Sequence, residues 1–182
     1  MRVSGWVCAD VGASTGGFTD CLLQNGAARV YAIDVGSGIL DWRLRNDPRV
    51  LVMEETNARY VEQLPEPVEL VTIDASFISL KILLPVAQKW LAPEGEIVAL
   101  IKPQFEAGKN RVGKGGVVRD PEVHREVLLN VLTFAESLGL RTAGLIRSPL
   151  LGPAGNVEFL ARWVGGKPMQ SIEEWVSAVM EK

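Results

Sequence analysis

The chain alternates short, unbroken apolar runs with longer stretches whose apolar residues recur every three or four positions. The runs "WVCADV", "RVYAIDV", "RVLVM", "VELVTID" and "EIVALIK" have the length and composition of strands covered on both faces, as in a parallel sheet. Between them "GGFTDCLLQNG", "GILDWRLRN" and "SLKILLPVAQKWL" carry helical spacing, the first closed by Gly26. A further helix is predicted after Asp120, with that acid as N-cap and Pro121 at the first helical position. Its apolar face is Val123, Val127, Val131, Ala135 and Leu138. "LRTAGLIRS" and "NVEFLARWV" are joined only by "PLLGPAG", too short for a helical crossover, so they pair antiparallel. The pattern therefore predicts an α/β, Rossmann-like chain: a seven-stranded, mostly parallel sheet with one antiparallel strand and helices on both faces.

After the last strand, "GGKPMQ" reads as a linker. "SIEEWVSAVMEK" then opens with a capping box of Ser171 and Glu174, and its stripe of Ile172, Trp175, Val176 and Val179 suits packing on the preceding domain. Residues 1–165 are expected to form one domain, and residues 166–182 the linker and a helix packed on it. A length of 182 residues with 47% hydrophobic content agrees with one core. No apolar run approaches the roughly 20 residues that span a bilayer, and Met1 to Trp6 lack a signal-peptide pattern, which makes the cytoplasm the expected location. Cys8 and Cys21 form neither a disulfide framework nor a metal pattern and are expected to be buried thiols; no metal site is predicted. The net charge of −3 sits poorly with a protein that grips nucleic acid alone, so such a role would need a local basic patch or a partner domain.

Candidate chemistry begins in "CADVGASTGGF", between the first strand and the first helix, where parallel sheets bind ligands. The spacing is D-x-G-x-S-x-G-G, from Asp10 through Gly12, Ser14, Gly16 and Gly17. A nicotinamide site would want glycine at Ser14, to let the backbone approach a pyrophosphate. S-adenosylmethionine carries no phosphate, and a loop holding its amino acid end tolerates Ser14, with Asp10 answering the ligand's ammonium group. Asp34, ending the second strand, is placed for ribose hydroxyls in either case. Asn57 could meet an adenine edge, although a lone Asn there is also an ordinary turn former. A seven-stranded sheet with one reversed strand is, by fold-level analogy, the architecture of methyltransferases that use this cofactor.

Three ionisable residues stand at strand ends on the ligand side: Asp74 in "VTIDASFISL", Lys102 in "LIKPQFE" and Glu158 in "NVEFLARW". Methyl transfer to a ribose hydroxyl needs that oxygen held in line with the sulfonium. A lysine between carboxylates could orient it and, when neutral, take its proton. The alternative is a structural ion-pair network. The glycine-rich "PQFEAGKNRVGKGGVVR" sets Lys109, Arg111, Lys114 and Arg119 against Glu106 alone, which suits either a mobile lid contacting RNA or a solvated loop. His124, in the first turn of the following helix, is expected at the surface.

"DVGASTGGFTD", "VYAIDVGSGILDWRLRNDPRV", "DASFISL", "IKPQFE", "GKGGVVRDPEVH" and "GPAGNVEFL" together resemble the hemolysin A (TlyA) family of ribosomal RNA 2'-O-methyltransferases, from about Trp6 to Trp163. That family is similar to the FtsJ-type RNA methyltransferases, whose active site is a Lys-Asp-Lys-Glu tetrad. By motif, Asp74 matches its Asp, Lys102 its second Lys and Glu158 its Glu. The resemblance implies S-adenosylmethionine as cofactor, ribosomal RNA or ribosomal subunits as partner, and cytidine ribose as target. No residue here matches the first tetrad lysine, and the S4-type RNA-binding domain that precedes such domains is missing, so the resemblance implies an isolated catalytic domain. Competing readings are a noncatalytic cofactor-binding or ribosome-interaction domain, a nicotinamide-linked reductase, and a membrane-lytic protein, for which no membrane segment stands out.

Overall fold

The computed structural model describes residues 2–167 and 170–181. Among the described residues seven strands and six α-helices follow one another as β1 (Val7–Val11), α1 (Gly17–Gln24), β2 (Arg29–Ile33), α2 (Trp42–Arg45), β3 (Val50–Met53), β4 (Val68–Ile73), α3 (Leu80–Trp90), β5 (Leu91–Ile101), α4 (Pro103–Glu106), α5 (Pro121–Ser137), β6 (Leu140–Arg147), β7 (Phe159–Gly165) and α6 (Ile172–Met180). The strands order as β3-β2-β1-β4-β5-β7-β6. β1 pairs in parallel with both β2 and β4, and β2 with β3, while β6 and β7 run antiparallel from Leu140↔Gly165 to Arg147↔Phe159. The seven-stranded sheet with its reversed strand is the one the apolar runs predict.

The chain divides into two compact units. One comprises residues up to Ala75 with Pro85–Val98, the other Ser76–Leu84 with Ala99 onward. In the first, Cys8, Val30, Ala32 and Leu70 from the strands pack with Leu22 and Leu23 of α1 and with Leu40 and Leu44 around α2. In the second, α5 lies against β6 and α6, burying Val127, Leu128, Val131 and Leu132 together with Trp163, Phe159 and Val176. The predicted capping box of α6 forms: Ser171 Oγ accepts from Glu174 N at 3.2 Å, and Ser171 N donates to the Glu174 carboxylate at 3.0 Å. The linker expected at "GGKPMQ" includes Pro168 and Met169, which lie outside the described residues.

Local differences have local causes. The helix expected over "GILDWRLRN" is a single turn, because Gly36 to Leu40 form a bend and Asp41 starts the helix by accepting from Arg43 N at 2.8 Å. β5 begins at Leu91, directly after α3, with Glu94 at φ 64. Leu138 is the C-cap of α5 and only half-buried. Cys21 is exposed, since α1 turns Thr19, Leu22 and Leu23 inward instead.

Candidate active site

In the first unit, β1 ends in a tight loop tied to β2 by Gly12 N and Ala13 N, which both donate to Ile33 O at 2.9 and 3.1 Å. Gly12 has φ +80, and a Cβ on it would stand 2.4 Å from the Asp74 carbonyl oxygen, so only glycine fits there. Gly16, the N-cap of α1 at φ 104, is closed off by Leu44, whose Cδ1 would lie 2.1 Å from a Cβ; Gly17 faces open space. Ser14, exposed at φ 50, donates its N–H to Asp34 Oδ2 at 2.8 Å, and Gly36 N donates to Asp34 Oδ1 at 2.8 Å. Each Asp34 oxygen is thus aimed by one backbone N–H and keeps a further lone pair for a ligand hydroxyl.

Asp10 is a correction to its expected role. It is fully buried and accepts from Thr19 Oγ1 at 2.7 Å and Thr72 Oγ1 at 3.0 Å, so it holds the loop from beneath rather than facing a ligand's ammonium group. Burial pushes its carboxyl up to about 6 against the pull of these hydrogen bonds. Asn57 caps the short turn Ala58–Tyr60 by accepting from Arg59 N at 3.2 Å. Glu54, which drew no attention in the sequence, anchors the bend after Asp34. It pairs with Arg45 at 2.6 Å and accepts from the N–H groups of Gly38, Ile39 and Leu40. The Arg45 hydrogen bond, helped by those backbone donors, holds its carboxyl down at about 2. Asp74 follows β4 and donates its N–H to Val11 O at 2.9 Å, tying it to the end of β1.

The second unit holds a cavity of about 720 Å³ at the end of β5. Lys102 lines it, 9% exposed, with Nζ 3.3 Å from Ser76 Oγ. Glu158 immediately precedes β7, is 6% exposed, and accepts from Gln104 Nε2 at 3.0 Å. Gly152 presses on the same carboxylate, since a Cβ there would meet Oε1 at 2.2 Å. Phe77, 90% exposed at φ 63, stands at the mouth with its ring 4.9 Å from that of Phe105. Ser76, Phe77 and Gln104 were not singled out in the sequence. The available signal was their position, within three residues of a strand-end Asp or Lys.

The family comparison completes the picture, because the profile of FtsJ-like methyltransferases matches residues 1–163. The chain belongs to that family. The 16S/23S rRNA (cytidine-2'-O)-methyltransferase TlyA of Mycobacterium tuberculosis is 52% identical over 161 residues, covering 87% of this chain and 60% of that protein. A crystal structure of a candidate hemolysin from Lactococcus lactis superposes with a TM-score of 0.91 at 45% identity, covering 98% of this chain and 89% of that one. The N-methyltransferase NodS of Bradyrhizobium japonicum WM9, at TM-score 0.64 and 19% identity over 90% of this chain and 88% of that one, shows the shared methyltransferase fold alone. The chain spans 60% to 70% of the length of the curated relatives it matches.

Within this FtsJ-like domain the basic loop behaves differently from its sequence reading. Glu106 is not its counter-charge, because it accepts from Ser79 Oγ at 2.6 Å and Leu80 N at 2.7 Å and so fixes the segment that carries Ser76 and Phe77. Arg111 instead pairs with Glu126 of α5 at 3.0 Å. Lys109 lines the cavity together with Gly113, Gly115 and Gly116, while Lys114 and Arg119 are exposed. The loop ends on a clasp: Asn156 Oδ1 accepts from Val118 N at 3.1 Å, and its Nδ2 donates to Gly116 O at 3.0 Å. His124, expected at the surface, is buried. Its Nε2 lies 2.9 Å from Val118 O and its ring meets Phe159 edge-on. No described helix is long and apolar enough to cross a membrane.

Proposed function

We propose that this domain transfers the methyl group of S-adenosylmethionine to the 2'-oxygen of a ribose, a cytidine ribose in ribosomal RNA, and that it works in the cytoplasm. The observation that carries the reading is the nearly buried Lys102, set by Ser76 in a cavity whose other wall holds Glu158. Bound S-adenosylmethionine supplies an electrophilic methyl on a sulfonium, and the S–CH₃ bond breaks as the O–CH₃ bond forms. Asp34 is poised for the cofactor's ribose hydroxyls, with the Ser14 loop, Gly16, Gly17 and Asn57 around the rest of the molecule. The fit rests on the open lone pairs of Asp34 and on a loop that brings no phosphate-binding glycine to Ser14. Lys102 orients the acceptor hydroxyl and in its neutral form takes the proton it releases, with Glu158 lining the same cavity, while Asp74 is the carboxylate that matches the family motif.

The RNA part of the reading is supported by Phe77, whose exposed ring offers a base a stacking face, by Lys109 in the cavity lining, and by the exposed Lys114 and Arg119 of the same basic loop with Arg111. The test is methyl transfer from labelled cofactor to ribosomal RNA, measured for this chain and for a chimera carrying the segment by which the longer relatives exceed it. Each protein is also assayed as Lys102→Ala. Activity in the chimera that falls at least about a hundredfold on Lys102→Ala is expected. Full turnover by the Lys102→Ala chimera would overturn the assignment. Tight cofactor binding with no transfer in any form would favour a noncatalytic cofactor-binding domain.

A further inference from the structure

We infer that a separate cleft, formed by Arg119 and Arg147, is a phosphodiester site for the RNA strand flanking the target nucleotide; this rests on the RNA reading above. The cleft has a volume of about 210 Å³ and a floor of Val157, Phe159 and Val179, with the two arginines among its lining residues. Both arginines are exposed, and among the described residues neither guanidinium has a hydrogen-bond or ion-pair partner. This sets them apart from Arg29, Arg43, Arg45, Arg49 and Arg111, each of which spends its charge on a carboxylate. The neighbouring Asp120 carboxylate is turned to the helix as the cap of α5, accepting from Glu122 N at 2.9 Å.

Position gives the cleft its meaning. Arg147 is the last residue of β6 and is in register with Phe159, and the next N–H, Ser148, donates to Glu158 O at 2.8 Å. Arg147 therefore stands across from Phe159, which lines the cleft, one residue along the chain from the Glu158 that lines the acceptor cavity. Arg119 follows Val118, which is held on one side by Asn156 and on the other by His124. Asn156 also lines the acceptor cavity, so the wall between cavity and cleft is a hydrogen-bonded partition. A strand whose ribose enters the cavity runs its next phosphate past these arginines. The forked guanidinium suits a phosphate's oxygens.

The test measures binding of a labelled single-stranded, cytidine-containing RNA dodecamer to this chain as a function of salt, for the parent, Arg147→Gln, Arg119→Gln and Arg147→Lys. Cofactor binding is measured alongside as a check on folding. Arg147→Gln and Arg119→Gln should each lower the slope of log affinity against log salt by about 0.7, the value for one phosphate contact on a single strand, and Arg147→Lys should retain it. If the parent shows the slope and the glutamine variants keep it, the cleft is no phosphate site and the RNA reading stands. If the parent shows no salt-dependent RNA binding, the RNA reading fails and takes this one with it. A third arm titrates inorganic phosphate at constant ionic strength. Binding of free phosphate that Arg147→Gln abolishes, with an unchanged RNA slope, would overturn the assignment to RNA.

Discussion

The loop after β1 and the loop after α4 are both glycine-rich, yet their glycines answer opposite demands. Gly12 and Gly16 are glycine because there is no room: the Asp74 backbone and the Leu44 side chain occupy the space of a Cβ. Gly115 and Gly116 have φ of +79 and +77 but nothing within 4 Å. The first loop is therefore locked by packing and by backbone donors that converge on Asp34, while the second, clasped at its end by Asn156, takes its shape at Gly115 and Gly116 from the backbone conformations these glycines permit. A locked loop suits a small ligand of fixed shape. An open loop with exposed lysines suits a polymer that arrives in many conformations.

The sharpest way to break this comparison is a pair of alanine substitutions. Gly12→Ala combines a left-handed backbone with a backbone clash and should lower stability by about 3 kcal/mol or more, whereas Gly115→Ala meets only the conformational cost of about 1–2 kcal/mol. Chemical denaturation of both proteins measures the gap, and equal losses would mean that packing does not distinguish the loops. Asp10 sharpens the locked side. Its carboxyl holds a proton up to about 6 when folded but only to 3.8, its ordinary value, when unfolded. Stability therefore falls as pH rises between those values, by roughly 3 kcal/mol in all, and the loss persists above them. Asp10→Asn should remove that fall, seen as a flatter profile of unfolding free energy from pH 4 to 8. A parallel profile would place the charge elsewhere.

Smaller effects separate the ligands. Asp34→Ala should weaken S-adenosylmethionine binding by about ten- to a hundredfold in titration calorimetry, the loss of hydrogen bonds to a charged acceptor. Unchanged affinity would remove the ribose from Asp34. In the open loop, Lys109→Gln with Lys114→Gln should reduce the salt slope of RNA binding by about 1.4. Arg111→Gln should change it less, because Glu126 already holds that guanidinium. An Arg111 effect equal to that of a lysine would show that the ion pair opens on binding.

The apolar runs made the sheet legible, since a buried parallel strand needs little but its own β-branched and aliphatic residues. The connection between β6 and β7 was equally legible, because chain length alone forbids a crossover. Asp10 misled for a physical reason: an acid at a strand end reads as a ligand contact, and its partner Thr72 is 62 residues away. His124 reads as surface in a one-stripe view of α5, but that helix packs against both β6 and α6 and buries His124 and Leu128 beside Val123 and Val127. Glu106 was counted against the loop's lysines and arginines by sequence proximity, whereas the Ser79 hydroxyl and the Leu80 N–H at the start of α3 hold it. Phe77 was invisible because a solvent-facing aromatic leaves no periodic trace.

The strand order carries a consequence for biosynthesis. β7 lies between β5 and β6 in the sheet but is made after both. A ribosome-bound chain that has released β6 must leave a strand-wide gap beside β5, with two unpaired edges, until Phe159–Gly165 emerges. The residue immediately ahead of that strand is Glu158, so the carboxylate that lines the cavity with Lys102 reaches its place with the segment that fills the sheet. Nascent chains halted before it lack both the strand that fills the sheet and Glu158, the carboxylate proposed to act beside Lys102.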